Sequence, residues 1–159
     1  MHHQRSLMIK VFDNVLSEDL LNFVKSEIYG AQWMVHGSSH EKSNDFFNCV
    51  TTGWLSHNYL LQLFNKKEMT KTNSLLRSYV NCYPPQSQGN FHTDDGMQTL
   101  LFCTDEWDKD WQGEIMFKNN DNVDYKKNRL VVFDSSIEHK ANINLSSKNR
   151  HTIAWKTTT

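Results

Sequence analysis

Apolar positions follow a helical period in the first part of the chain and an alternating or continuous one in the rest. Ile9-Lys10-Val11-Phe12 reads as a short strand. Ser17 then caps a helix with Leu20, Leu21, Val24 and Ile28 on one face, and Gly30 ends it. Residues 37–45 are polar and serine-rich, which predicts a loop, and 56–65 place Leu60, Leu61 and Phe64 at helical spacing. From Leu75 onward the runs are short: 78–83, 98–103, 114–117, 130–133, 140–143 and 151–155, separated by turn residues. Strands at such spacing predict an antiparallel sandwich or barrel braced by the helices. Pro84-Pro85-Gln86-Ser87-Gln88-Gly89-Asn90 and 118–128 are the loops between them. With no internal repeat or low-complexity linker, we expect one mainly β (α+β) domain over 1–159, in which 1–74 packs on a β core at 75–157.

At 159 residues the chain is long enough to bury a core without disulfides or a structural metal. Seventeen Lys plus Arg nearly balance eighteen Asp plus Glu, which argues against a partner that is mainly phosphate backbone and makes nucleic acid unlikely. Cys49, Cys82 and Cys103 are odd in number and far apart, so they read as reduced thiols. No apolar run is long enough to cross a bilayer, and Met1 to Ser6 lead into a strand-like segment instead of a signal-peptide core. The expectation is a cytoplasmic protein with no membrane partner; the sequence sets no oligomeric state.

Candidate chemistry lies in Gly89-Asn90-Phe91-His92-Thr93-Asp94, answered downstream by His139 and by Arg150-His151-Thr152. On an extended segment alternate side chains share a face, so His92 and Asp94 can enter one cavity while Thr93 points away. Two imidazoles and one carboxylate on one face suit Fe(II) and leave coordination positions open. Alone, a His-x-Asp pair is more often a surface histidine beside an acidic loop, and His139 fits equally a satisfied histidine where a strand begins. Arg150 and Thr152 share another face and could grip a carboxylate of a diacid, although an isolated Arg-x-Thr more often pairs with a surface acid such as Glu138. The joint occurrence of all four features favours the site.

The order Tyr79-Val80-Asn81-Cys82-Tyr83, His92-Thr93-Asp94, 100–107, Gly113-Glu114-Ile115-Met116-Phe117, 129–133, His139 and Arg150 to Trp155 resembles the Fe(II)- and 2-oxoglutarate-dependent dioxygenases, in their prolyl 4-hydroxylase-like branch. The resemblance spans about half the chain. It implies a double-stranded β-helix (jelly-roll, cupin-like) core with His92, Asp94 and His139 as metal ligands and catalytic centre. It also implies that Arg150 pairs with the far carboxylate of 2-oxoglutarate, with Thr152 and Tyr83 donating hydrogen bonds to that cosubstrate. Fe(II), 2-oxoglutarate and O2 are the implied cofactors, with ascorbate as an auxiliary reductant. The implied reaction is hydroxylation of a C–H bond, first of a prolyl residue in a protein or peptide partner, with release of succinate and CO2. Alternatives are hydroxylation of a free amino acid or other small molecule, and a non-catalytic barrel that senses metal and 2-oxoglutarate. Two positions depart from the pattern: Phe102 stands where a second cosubstrate-contacting tyrosine is expected, and Gly113-Glu114 replaces a double glycine. Leu101, Ile115, Phe117 and Val132 could line the barrel and limit water access, although most of them read more readily as ordinary core.

Overall fold

The computed structural model describes residues 8–36 and 46–159. The predicted loop at 37–45 and the reading of the first six residues lie outside them. Among the described residues the elements are β1 (Ile9–Asp13), α1 (Glu18–Tyr29), β2 (Met34–His36), β3 (Phe46–Val50), α2 (Leu55–Lys66), β4 (Ser74–Tyr83), β5 (Gln98–Cys103), β6 (Ile115–Phe117), β7 (Arg129–Asp134), β8 (His139–Ala141) and β9 (Arg150–Thr158), with a short 3-10 turn at Lys109–Trp111. A seven-stranded antiparallel sheet runs β1-β7-β5-β9-β4-β3-β2, and β6-β8 form a second, two-stranded sheet.

The large sheet is buried on both faces, which explains why its central strands read as continuous apolar runs. On the outer face Leu100, Phe102, Leu130, Val132, Ile153 and Trp155 pack against Leu21, Val24 and Ile28 of α1 and Leu60, Leu61 and Phe64 of α2. On the inner face Leu101, Val131, Phe133 and Ala154 meet Ile115 and Phe117 of β6. Helix α1 starts where predicted, with Ser17 Oγ accepting from the Leu20 amide. Gly30 ends it in an ordinary right-handed conformation (φ −85°).

Val132 takes the core reading and not the barrel lining: in β7 it alternates with Val131 and Phe133, so it faces the helices. Phe102 faces the same way, its ring 6.2 Å from that of Phe64. The strands β2 and β3 were not predicted; with β1, they make the N-terminal part contribute sheet edges as well as helices.

Two histidines on the outer face carry opposite pH dependences. His57 in α2 lies between Trp54 and Trp155, and neither ring nitrogen has a hydrogen-bond partner among the described residues. Burial pushes it down to about 4. His151 in β9 is also buried, which opposes its charge, but Asp105 and Cys82 overcome this and raise it to about 9. A lowered histidine contributes stability that is present above pH 6.5 and lost as pH falls toward 4. A raised one contributes stability that is present below pH 6.5 and lost as pH rises through 9. Thermal unfolding from pH 4 to 9 should therefore show His57→Phe gaining on the wild type as pH falls below 6.5. His151→Gln should lose most near pH 6 and approach the wild type toward pH 9; parallel curves would refute both assignments.

Candidate metal centre

His92 and His139 face each other across a single antiparallel bridge and exchange both backbone hydrogen bonds, at 3.1 and 3.0 Å. Their rings lie 4.5 Å apart. Two residues along, Asp94 returns to the same face, and its amide donates to the Ser135 carbonyl at 3.0 Å. One ligand atom from each of His92, Asp94 and His139 lies within 4.8 Å of the other two.

The histidine tautomers are fixed from behind. Nδ1 of His92 lies 2.8 Å from the Asn90 carbonyl and Nδ1 of His139 lies 2.9 Å from that of Ile137, so each Nδ1 carries the proton and donates it. That leaves each Nε2 aimed at the carboxylate: His139 Nε2 is 3.1 Å from Asp94 Oδ2, and His92 Nε2 is 3.6 Å from Oδ1. A proton or a metal cation must lie between each nitrogen and the carboxylate. Borderline nitrogen and hard oxygen donors fit a divalent first-row metal. Burial would raise the Asp94 carboxyl, but His139 and Lys156 outweigh it and hold Asp94 ionised, below the usual carboxylate range. Burial moves His92 in the direction that keeps its ring neutral.

Strand β9 supplies the cations. Arg150, Thr152, Ala154 and Lys156 share its inner face, and Arg150 is 2 % exposed. Arg150 Nε donates to the Gly113 carbonyl at 2.8 Å, and Nη1 donates to Thr152 Oγ1 at 3.0 Å. Its guanidinium lies over the Tyr125 ring at 4.5 Å and the Tyr83 ring at 5.7 Å. Among the described residues no carboxylate forms an ion pair with it. Glu138 pairs instead with Lys118 at the surface, 2.7 Å away. His92, His139, Tyr83, Arg150, Thr152 and Lys156 all border one narrow cavity of about 40 Å³. A larger cavity, about 690 Å³, lies on the outer face around Tyr29, Trp33 and His151, and neither His92 nor His139 lines it.

The predicted site residues thus converge, and Tyr83 and Thr152 lie beside Arg150. Other participants escaped the sequence reading. Tyr125, from the loop 118–128, is buried behind Arg150; its hydroxyl accepts from the Thr104 and Asp105 amides at 3.1 Å each and reaches the Asp105 carboxylate at 3.1 Å. Nothing in that polar loop marks it out. Lys156 was legible, since it continues the alternation of Arg150 and Thr152, but the predicted strand stopped at 155. Trp107 and Trp111 pack edge to face against each other, at 5.4 Å, as struts of their loop.

The fold that carries these residues is shared with solved structures. No family model matches this sequence, and no curated protein matches it. A prolyl-4-hydroxylase from Pseudomonas putida superposes with a TM-score of 0.73 at 16% identity, over 96% of this chain and 94% of that one. A Trichoplax adhaerens prolyl hydroxylase, solved with a hypoxia inducible factor oxygen degradation domain peptide, gives 0.74 at 15% identity over 94% and 83%. HygX from Streptomyces hygroscopicus, solved with nickel and 2-oxoglutarate, gives 0.73 at 8% identity over 94% and 82%. The chain has the fold of the prolyl hydroxylases and related 2-oxoglutarate Fe(II) oxygenases, the jelly roll that the sequence resemblance implied. No helix among the described residues is long and apolar enough to cross a membrane.

Gly113 is the backbone device that lets Arg150 sit so deep. Its φ of +78° is left-handed, and a Cβ there would meet Arg150 Cδ at 3.2 Å and Nε at 3.3 Å. Gly113→Ala should cost about 1–3 kcal/mol in urea unfolding. Gly53→Ala, where a Cβ would meet nothing within 4 Å, should stay within about 0.5 kcal/mol of the wild type.

Proposed function

We propose that this protein is a 2-oxoglutarate-dependent Fe(II) dioxygenase that hydroxylates a C–H bond. His92, Asp94 and His139 hold the metal, and Arg150, with Thr152 and Tyr83 beside it, receives the far carboxylate of the cosubstrate. The observation that carries the reading is the buried Arg150 guanidinium with no carboxylate partner, in the same cavity as two histidines and across from a carboxylate that can ligate metal. A buried cation left unpaired costs several kcal/mol, and a bound diacid removes that cost.

Iron bound here with 2-oxoglutarate and O2 would supply the oxidising power, with succinate and CO2 released as the cosubstrate is consumed. The chain's own contribution is geometric. Asn90 and Ile137 hold the imidazoles with Nε2 inward, and Gly113 and Thr152 leave the other edge of Arg150 toward the cavity. Tyr83 and Tyr125 flank the guanidinium, which limits its hydration and strengthens its hold on an anion. At about 40 Å³ the space takes little more than a water-sized group, so side chains lining it must shift to admit the diacid.

For the substrate we favour a prolyl residue in a protein or peptide. Of the three structures compared above, two are prolyl hydroxylases, one of them solved with a peptide. A small-molecule substrate is the second reading, favoured by the likeness to HygX, whose structure has also been solved with hygromycin B.

Anaerobic addition of Fe(II) and then 2-oxoglutarate should produce a weak visible charge-transfer band that Arg150→Ala abolishes at the same cosubstrate concentration. Metal binding without that band would reject the cosubstrate assignment. Under oxygen, His92→Ala and Asp94→Ala should lose succinate formation by at least about 100-fold while remaining folded. Mass spectrometry of a peptide library after turnover should show a one-oxygen gain confined to proline; a gain on a small metabolite alone would transfer the assignment to the second reading.

A further inference from the structure

We infer that Lys156 and Thr99 are positioning residues for Asp94, holding one of its carboxylate oxygens so that it grips a metal through the other alone. The inference rests on the metal-site reading above and goes beyond it, to how many oxygens Asp94 gives.

Both side chains converge on the same atom. Lys156 Nζ contacts Asp94 Oδ2, and Thr99 Oγ1 donates to that oxygen at 2.8 Å. Nζ and Thr99 Oγ1 lie 3.5 Å apart, and Thr99 is fixed in turn by Ser135 Oγ at 2.9 Å. His139 Nε2 also lies 3.1 Å from Oδ2; with that nitrogen given to a metal, Lys156 and Thr99 are the donors that remain, and they fill the two lone-pair directions of Oδ2. Oδ1 has nothing closer among the described residues than His92 Nε2 at 3.6 Å, beyond hydrogen-bond reach. It is the oxygen left for a metal.

The placement is costly and specific. Lys156 is 1 % exposed, Thr99 and Ser135 are fully buried, and the lysine stem lies where an apolar side chain would pack without charge. The Nζ is 5.5 Å from the centre of the Tyr79 ring, which walls it from the other side. Lysine is suited to this task because its compact ammonium can meet a single oxygen, whereas a guanidinium fork would engage both. A one-oxygen grip by Asp94 keeps open a coordination position that a two-oxygen grip would occupy.

The test uses the whole protein with Co(II) alone and protein labelled with carbon-13 aspartate. Infrared difference spectra of loaded minus metal-free protein report the separation between the antisymmetric and symmetric carboxylate stretches. It is wide for one-oxygen ligation and narrow for two-oxygen ligation. The wild type should show the wide separation, and Lys156→Met and Thr99→Val should both narrow it. Thr99→Val changes no charge and little volume, so it stands if the lysine variant fails to fold; it should also weaken Co(II) binding about 10-fold by calorimetry. A wide separation retained in Thr99→Val, or a narrow one in the wild type, overturns the inference while leaving the metal site intact. No Co(II) bound by the wild type overturns both.

Discussion

The structure depends on strict alternation along one strand that is buried on both sides. Strand β9 lies in the middle of the large sheet, paired with β4 and β5. Its odd-numbered residues Ile153 and Trp155 complete the core under the helices. Of its even-numbered residues, Arg150, Thr152 and Lys156 form a wall of the cavity, and Ala154 packs in the inner-face core. A one-residue slip would drive two cations into the helix-packed core and place Trp155 in the cavity. Trp155 opposes it: its ring packs on Phe64 and His57, and its Nε1 donates to the His57 carbonyl at 3.1 Å. Thus α2, which contributes no predicted site residue, helps set the register that aims Arg150 and Lys156.

The same strand concentrates three buried cations, of which two are matched by a carboxylate and one is not. Lys156 is matched by Asp94, and His151 by Asp105, whose carboxylate also accepts from the His151 amide at 2.7 Å. Arg150 alone has carbonyl, hydroxyl and ring contacts without a carboxylate. Because its neighbours in sequence are charge-matched, the imbalance is local to the place where an anionic ligand is expected. The networks are also joined, since Tyr125 stacks on Arg150 and bonds to Asp105, His151's partner. The guanidinium is therefore backed by groups anchored on the opposite face of the sheet.

Much of this was legible in the sequence, for identifiable reasons. Helix α1 and strand β5 were marked by their own residues, through Ser17 with its apolar stripe and through a run bounded by turn signals. His92, Asp94, Arg150 and Thr152 were legible because the two-residue period of a strand fixes which side chains share a face. Strands β2 and β3 were not, because short strands near the sheet edge, flanked by polar residues, lack the apolar run that reveals a central strand. Phe102 was assigned to the wrong face, and Val132 was left open between lining and core. In strands buried on both sides, apolarity no longer tells inside from outside, and only pairing register does. Tyr125 lies in irregular backbone, where no period applies.

What the fold leaves open is the substrate, and the reason is physical. The candidate metal ligands and Arg150 are placed by hydrogen-bonded strands, the part of the structure whose fold is shared with oxygenases at 8–16% identity. Selection of the substrate depends on the loops and strand ends around the cavity mouth, where backbone pairing imposes no common geometry. Next in sequence to His92 and Asp94 stand Phe91, 40 % exposed under Lys140 Nζ at 5.3 Å, and Asp95, in an exposed ion pair with Arg77 at 3.0 Å. An exposed ring beside a cation and a surface ion pair can meet a peptide or a polar small molecule equally well. Product identity, not further refinement of the triad, is therefore the measurement that separates the two substrate readings.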